Sequence, residues 1–172
     1  MSTSEIARTP RLAVEYLRAE HIEPLCDIWC DPAVTKFMGG PRVRAKVRQS
    51  LLEELAAPET YTLWPVVEKA GGAVVGHCGL LEKEQDGRKD IELVYVIASG
   101  RQRRGYGFEA AQAIADYGFR RMNLGRLIAL IEPENRPSQR LAEKLGFSAG
   151  PTVLRPSGGH RIIYILEHRL PA

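Results

Sequence analysis

The residue types best suited to chemistry in this 172-residue chain stand at 101–107, Arg-Gln-Arg-Arg-Gly-Tyr-Gly, between an apolar run (Ile91 to Ala98) and a helix-like stretch (Phe108 to Met122). Two glycines one residue apart let backbone N–H groups turn toward one point, and the first N–H groups of the following helix lack internal partners. The helix dipole favours negative charge at the same place, and three arginines add to it. Such a turn suits a phosphate. Gly105, Gly107 and Ala110 fit G-x-G-x-x-A, the dinucleotide fingerprint, with Glu132 where a ribose-binding acid belongs. That fingerprint wants its first glycine at the strand end, whereas residues 98–104 intervene here, and the segments before Ile91 read as antiparallel hairpin strands. A plain loop with solvated arginines is the bland alternative. No Gly-Lys-Ser/Thr follows, which excludes a P-loop.

A second block, residues 135–147, reads Asn-Arg-Pro-Ser-Gln-Arg-Leu-Ala-Glu-Lys-Leu-Gly-Phe. Its pattern Asn-x-x-Ser-x-x-Leu-x-x-x-Leu-Gly-Phe follows Gln102-Arg103-Arg104-Gly105-Tyr106-Gly107, a match to Gln/Arg-x-x-Gly-x-Gly, after about one helix and one strand. Together the two blocks resemble the GNAT superfamily of acyl-CoA N-acyltransferases, and within it most resemble the ribosomal-protein-alanine N-acetyltransferases. The motifs occupy residues 92–147, and the resemblance extends over most of the chain. It implies acetyl-CoA as acyl donor, a primary amine (a protein N-terminus or a small molecule) as acceptor, direct attack in a ternary complex, and no metal.

The elements that must position these blocks follow from periodicity. Arg11 to Leu17 alternates as a strand, and His21 to Cys30 carries Ile22, Leu25, Cys26 and Trp29 at helical spacing. Asp31-Pro32 caps a short turn to Met38, Gly39-Gly40-Pro41 breaks it, and Arg42 to Ala57 reads as a helix with Val43, Val47, Leu51, Leu52 and Leu55 roughly aligned. Three strands follow, 61–70, 73–83 and 89–98, joined by turns at Gly71-Gly72 and Gln85-Asp86-Gly87-Arg88. Helix 108–122, strand 126–132, helix 136–145 and strands near 147–155 and 160–169 complete the order βααβββαβαββ. This is an α/β domain over residues 1–172 with a mixed, largely antiparallel sheet. The order resembles the GNAT fold, which implies that two parallel central strands, 91–97 and 126–132, splay apart.

The resemblance also assigns roles. A bulged strand supplies backbone N–H groups that polarise the thioester carbonyl, here those of Tyr95, Val96 and Ile97, and pairs with the pantetheine arm. Gln102, Arg103, Arg104, Gly105, Tyr106, Gly107 and Phe108 hold the pyrophosphate. Glu92 interrupts an apolar strand, where a carboxylate is costly unless it faces a cavity or a partner, and stands where this branch has a glutamate. It is the candidate general base; an edge residue facing water is the alternative. Ser138 is the candidate general acid toward the coenzyme A sulfur, with a helix-capping hydroxyl as the alternative. Many GNAT enzymes carry a tyrosine seven residues after the motif asparagine, and that position here is Ala142. Asn135 is placed near the pantetheine amide or at the helix N-cap. Phe37 and Met38 wall the acceptor site.

Composition excludes other classes. A net charge of +3, with basic clusters near 42–48 and 101–104 that lack interleaved aromatics, argues against a nucleic-acid partner. Three irregularly spaced cysteines argue against a disulfide framework, and no apolar run reaches membrane length, so the protein reads as soluble and cytoplasmic. Cys26, Cys30, Trp29 and Trp64 read as core, His77-Cys78 as mid-strand residues without a second metal pair, and Gly158-Gly159 as a turn or a loop over the acceptor site. Two other readings stay open: a non-catalytic acyl-CoA-binding or regulatory module, and a dinucleotide-binding oxidoreductase. Oligomeric state, a homodimer included, is also open.

Overall fold

Strand alternation and short turns build the sheet, and two crossover helices complete it. In the computed structural model, which describes residues 5–85, 87–155 and 158–168, the strands are β1 (Glu5–Arg8), β2 (Leu12–Glu15), β3 (Leu63–Glu68), β4 (Val74–Gln85), β5 (Arg88–Ile97), β6 (Arg126–Ile131), β7 (Ser148–Leu154) and β8 (His160–Glu167). The helices are α1 (Ile22–Cys30), α2 (Pro32–Thr35), α3 (Arg44–Ala56), α4 (Tyr106–Arg121) and α5 (Arg136–Lys144). One sheet runs β1-β2-β3-β4-β5-β6-β8-β7. Short turns make β1–β2, β3–β4, β4–β5 and β7–β8 antiparallel, β2–β3 and β6–β8 are antiparallel across longer connections, and the crossover through α4 makes β5 and β6 parallel. Their register holds a single pair, Glu92 with Ile128, so the two strands part beyond it, as the resemblance implies.

Each face of the sheet buries its own apolar layer. Ala110, Ala111, Ile114 and Ala115 of α4 join Leu80, Leu93 and Leu127 in the larger core. On the other face Leu25, Cys26 and Ile28 of α1 and Leu51 of α3 pack with Val96. Small residues on α4 bring that helix close to the strands. Gly79 serves the same end within the sheet, because a Cβ there would collide with the Thr62 carbonyl oxygen.

The structure departs from expectation in three places. An additional edge strand, β1, pairs with β2 in the register Ala7 with Val14, so the order gains a strand at its start. α4 begins at Tyr106 rather than Phe108, because Gly105 takes the left-handed conformation (φ 81°) that ends the loop. In α3 Leu51 is buried and Val47 and Leu55 pack partly buried against the same core, whereas Leu52 is exposed and Val43 precedes the helix, so the expected stripe narrows to three residues. The expected turn at 85–88 includes Asp86, and the loop before Gly158-Gly159 includes 156–157; these positions lie outside the described residues.

Candidate active site

The parting of β5 and β6 opens the sheet beside a cavity of about 250 Å³, lined by Glu92, Tyr95, Asn135 and Ser138 among others. Phe37 and Met38 line it as well. Glu92 is 7% exposed, and Lys83 Nζ lies 3.6 Å from its carboxylate. Burial pushes the Glu92 pKa up; Lys83, Arg161 and the Leu130 N–H pull against that without cancelling it. A carboxyl poised this way takes up a proton more readily than a solvated one.

The backbone of β5 is sorted by the same geometry. The Ala98 N–H donates to the Val75 carbonyl in β4 (2.9 Å). Strand polarity alternates, so Val96, opposite His77, also turns its N–H to β4, while Tyr95 and Ile97 turn theirs toward the parting. Of the three amides expected there, Val96's is therefore engaged in the β4 ladder. That ladder runs unbroken from Gly76–Ile97 to Gln85–Arg88, so the N–H groups face outward because β6 departs, and not because β5 bulges.

α5 delivers the second block. Asn135 is its N-cap, and the side-chain oxygen accepts from the Ser138 N–H at 3.3 Å. Capping thus falls to the Asn135 side chain, and Ser138 is among the residues that line the cavity. The Tyr95 phenol donates to the Ser138 carbonyl (3.2 Å), and burial pushes its pKa up, so it stays a protonated donor. Ala142 is fully buried in the core.

The arginine–glycine loop ends at the N-terminus of α4, whose cap residue Gly105 offers no side chain. Arg103 (φ 62°) and Gly105 (φ 81°) are both left-handed, the alternation that turns successive N–H groups inward as an anion nest. Gln102 Nε2 donates to the Ile97 carbonyl at 3.0 Å and ties the loop to β5. Arg11 Nη1 donates to the Arg104 carbonyl (2.8 Å), while Glu109 in the first turn is drawn off by Arg11 at 2.7 Å. The Tyr106 ring lies under the Arg11 guanidinium (4.6 Å) and its hydroxyl donates to Glu68, so only its N–H remains for a ligand. Lys144 Nζ sits 4.2 Å from the Phe108 ring, and a Cβ on Gly107 would come within 3.1 Å of Leu141. Arg101 pairs with Glu68 at 3.2 Å, whereas among the described residues Arg103 and Arg104 have no carboxylate within ion-pair distance.

The acetyltransferase (GNAT) domain family matches residues 11–148. The chain belongs to the GNAT acetyltransferase family. An uncharacterized N-acetyltransferase of Bacillus licheniformis, p20, is 31% identical to this GNAT protein over 147 residues, 83% of this chain and 82% of that one. A GNAT acetyltransferase from Bacillus anthracis superposes with TM-score 0.79 at 25% identity, covering 94% of this chain and 97% of that one. An aminoglycoside acetyltransferase in complex with coenzyme A shares the fold (TM-score 0.72, 18% identity, 91% and 94% covered).

Sequence reasoning about this GNAT chain overlooked much of the cavity wall: Trp29, Arg42, Lys83, Arg155, Arg161 and the Tyr95 phenol. Arg161 carried no signal of the kind Glu92 did, because it stands at the start of β8 before the apolar run begins. His77, though buried, is no proton carrier. Trp29 Nε1 donates to its Nδ1 (3.0 Å), its Nε2 faces the Leu63 carbonyl (3.1 Å), and burial brings its pKa down to about 4. Both ring nitrogens are thus satisfied in the neutral form. Among the described residues no three His, Cys, Asp or Glu side chains converge as metal ligands, and no helix is long and apolar enough to cross a membrane.

Proposed function

We propose that the protein is an acetyl-CoA-dependent N-acetyltransferase acting on a primary amine. The observation that carries this reading is the convergence of Glu92 and Ser138, 46 residues apart in sequence, on one cavity where the Tyr95 and Ile97 N–H groups face the parting of β5 and β6. Glu92 accepts the ammonium proton, and the neutral nitrogen then bonds to the acetyl carbon. The N–H groups of Tyr95 and Ile97 stabilise the developing oxyanion, a contribution of about 3 kcal/mol for one good donor. As the C–S bond breaks, Ser138 donates a proton to the sulfur, and the second proton that the nitrogen sheds on forming the amide restores the serine hydroxyl. The nest of Gln102 to Phe108, with Arg103 and Arg104, holds the pyrophosphate, and the Asn135 amide meets the pantetheine arm.

Residues 1–172 are read as one such domain, supported by a single sheet that includes all eight strands. The narrower reading as a ribosomal-protein-alanine acetyltransferase rests on the motif resemblance alone. Ala142, in place of the phenol many relatives carry, favours a second reading: a module that binds acyl-CoA without turnover.

Thermal melting with acetyl-CoA and, separately, NAD tests the first step. A ligand at about a hundred times its Kd adds about 2.7 kcal/mol, a shift of several degrees. A shift with acetyl-CoA alone is expected; a shift with NAD alone overturns the reading.

A further inference from the structure

The cavity wall is unevenly charged. Four cationic side chains line it, Arg42, Lys83, Arg155 and Arg161, against two carboxylates, Glu92 and Glu132. Lys83 pairs with Glu92 at 3.6 Å and Arg155 with Glu132 at 2.6 Å. Among the described residues, no carboxylate lies within ion-pair distance of Arg42 or Arg161. Arg42 spends one Nη on the Met38 carbonyl at 2.8 Å. The Arg161 Nε is buried and lacks a hydrogen-bond partner. The one other such nitrogen among the described residues, Arg126 Nε, lies 3.0 Å from Asp90, whereas Glu92 and Glu132 act on Arg161 only from beyond ion-pair distance.

A buried donor without an acceptor carries its full desolvation cost, and native folds keep such groups for a reason. Burial first, and then the nearby Arg155 guanidinium, hold the Arg161 pKa below its usual value against the opposing pull of Glu92 and Glu132. Arg42 and Arg155 converge as well. A Cβ built on Gly39 would lie 3.6 Å from an Arg42 Nη and 3.5 Å from an Arg155 Nη. The three guanidinium groups come from separate elements, the loop after α2, the end of β7 and the start of β8, and bound one cavity.

We propose that the acceptor amine carries a carboxylate, which Arg161 and Arg42 receive while the amine faces Glu92. This rests on the acetyltransferase reading of the site. Guanidinium forks match a carboxylate bidentately, and the same excess of positive charge repels polycationic amines. The substrate class is therefore an amino acid or a peptide with an acidic group near its N-terminus, and polyamines and aminoglycosides are disfavoured.

The experiment follows coenzyme A release from the full chain with α- and ω-amino acids of graded length, an acidic tripeptide, the carboxamide of each, and spermidine. Carboxylates should exceed their carboxamides in kcat/KM by at least about tenfold. Arg161→Gln should collapse that ratio with the KM for acetyl-CoA little changed; Arg42→Gln serves if the first variant fails to fold. The tripeptide arm separates peptide from free amino-acid acceptors. A ratio near one, or preference for spermidine, overturns the proposal. A second arm needs no turnover: calorimetric titration of the N-acetylated carboxylates and carboxamides, with coenzyme A present. Equal affinities there, or affinities untouched by Arg161→Gln, also overturn it. Failure of acetyl-CoA to bind would instead sink the acetyltransferase reading, so the two failures are separable.

Discussion

Lys83 Nζ on β4 stands 3.6 Å from the Glu92 carboxylate on β5, a diagonal pair across neighbouring strands in which the lysine reaches solvent and the glutamate does not. The pair damps the effect of burial on Glu92 without reversing it. Removing the carboxylate therefore separates chemistry from stability. Glu92→Gln should lower kcat by about 10² to 10⁴ while acetyl-CoA still binds.

The same residue predicts a pH dependence. Its folded-state pKa is raised above the ordinary value of 4.5, so the native state holds the proton better than the unfolded chain does. Stability from this group is full below about 4.5 and is lost as pH rises through the raised pKa. Wild-type turnover should rise with pH along a limb above 4.5, and Glu92→Gln should melt no lower than wild type at neutral pH. A rate limb at the ordinary carboxylate value would remove Glu92 as the base.

Ser138 and Tyr95 both line the cavity, and the Tyr95 phenol donates to the Ser138 carbonyl. Ser138→Ala should reduce kcat at least about tenfold with the Kd for acetyl-CoA unchanged. Tyr95→Phe should cost about 1 kcal/mol of stability through the lost hydrogen bond. A silent Ser138→Ala beside a slow Tyr95→Phe would transfer the acid role to the phenol.

Gly105 joins the loop to α4 in a left-handed conformation. Gly105→Ala should cost about 1–2 kcal/mol in a urea titration and weaken acetyl-CoA binding measured by calorimetry. Unchanged affinity would mean that the N–H groups of this turn do not hold the pyrophosphate.

His77 resists protonation because it is buried, with its pKa near 4 against an ordinary 6.5. The unfolded chain binds a proton first, so stability from this residue is present above 6.5 and is lost as pH falls toward 4. The loss should reach about 3 kcal/mol. His77→Gln should flatten the slope of stability against pH over that range; an unchanged slope would assign the acid sensitivity elsewhere.

Strong periodicity made the long elements legible: the three-strand meander, α4 and α5 all lie within a few residues of their expected bounds. β1 escaped because Glu-Ile-Ala-Arg has one strong strand former, and its pairing with β2 supplies what local sequence does not. For the site, Glu92, Asn135 and Ser138, singled out by motif spacing, all line one cavity. That spacing did not reveal which way each backbone amide points, since that depends on strand register: Val96 faces β4 and Tyr95 does not. Nor did it reveal the arginines. Arg42, Arg155 and Arg161 meet only because loops and strand ends far apart in sequence close around one space.

A sheet joined across its middle by one register pair, Glu92 with Ile128, is mechanically two plates with a seam. Few main-chain hydrogen bonds join the β1–β5 part of the sheet to the β6–β8 part, and α4 connects the two in sequence. A donor that lays an extended arm along the seam supplies rungs the protein itself does not make. Amide exchange at Tyr95 and Ile97 and along β6 should then slow together on binding, so that the donor sets the rigidity of the site in which the acceptor is met.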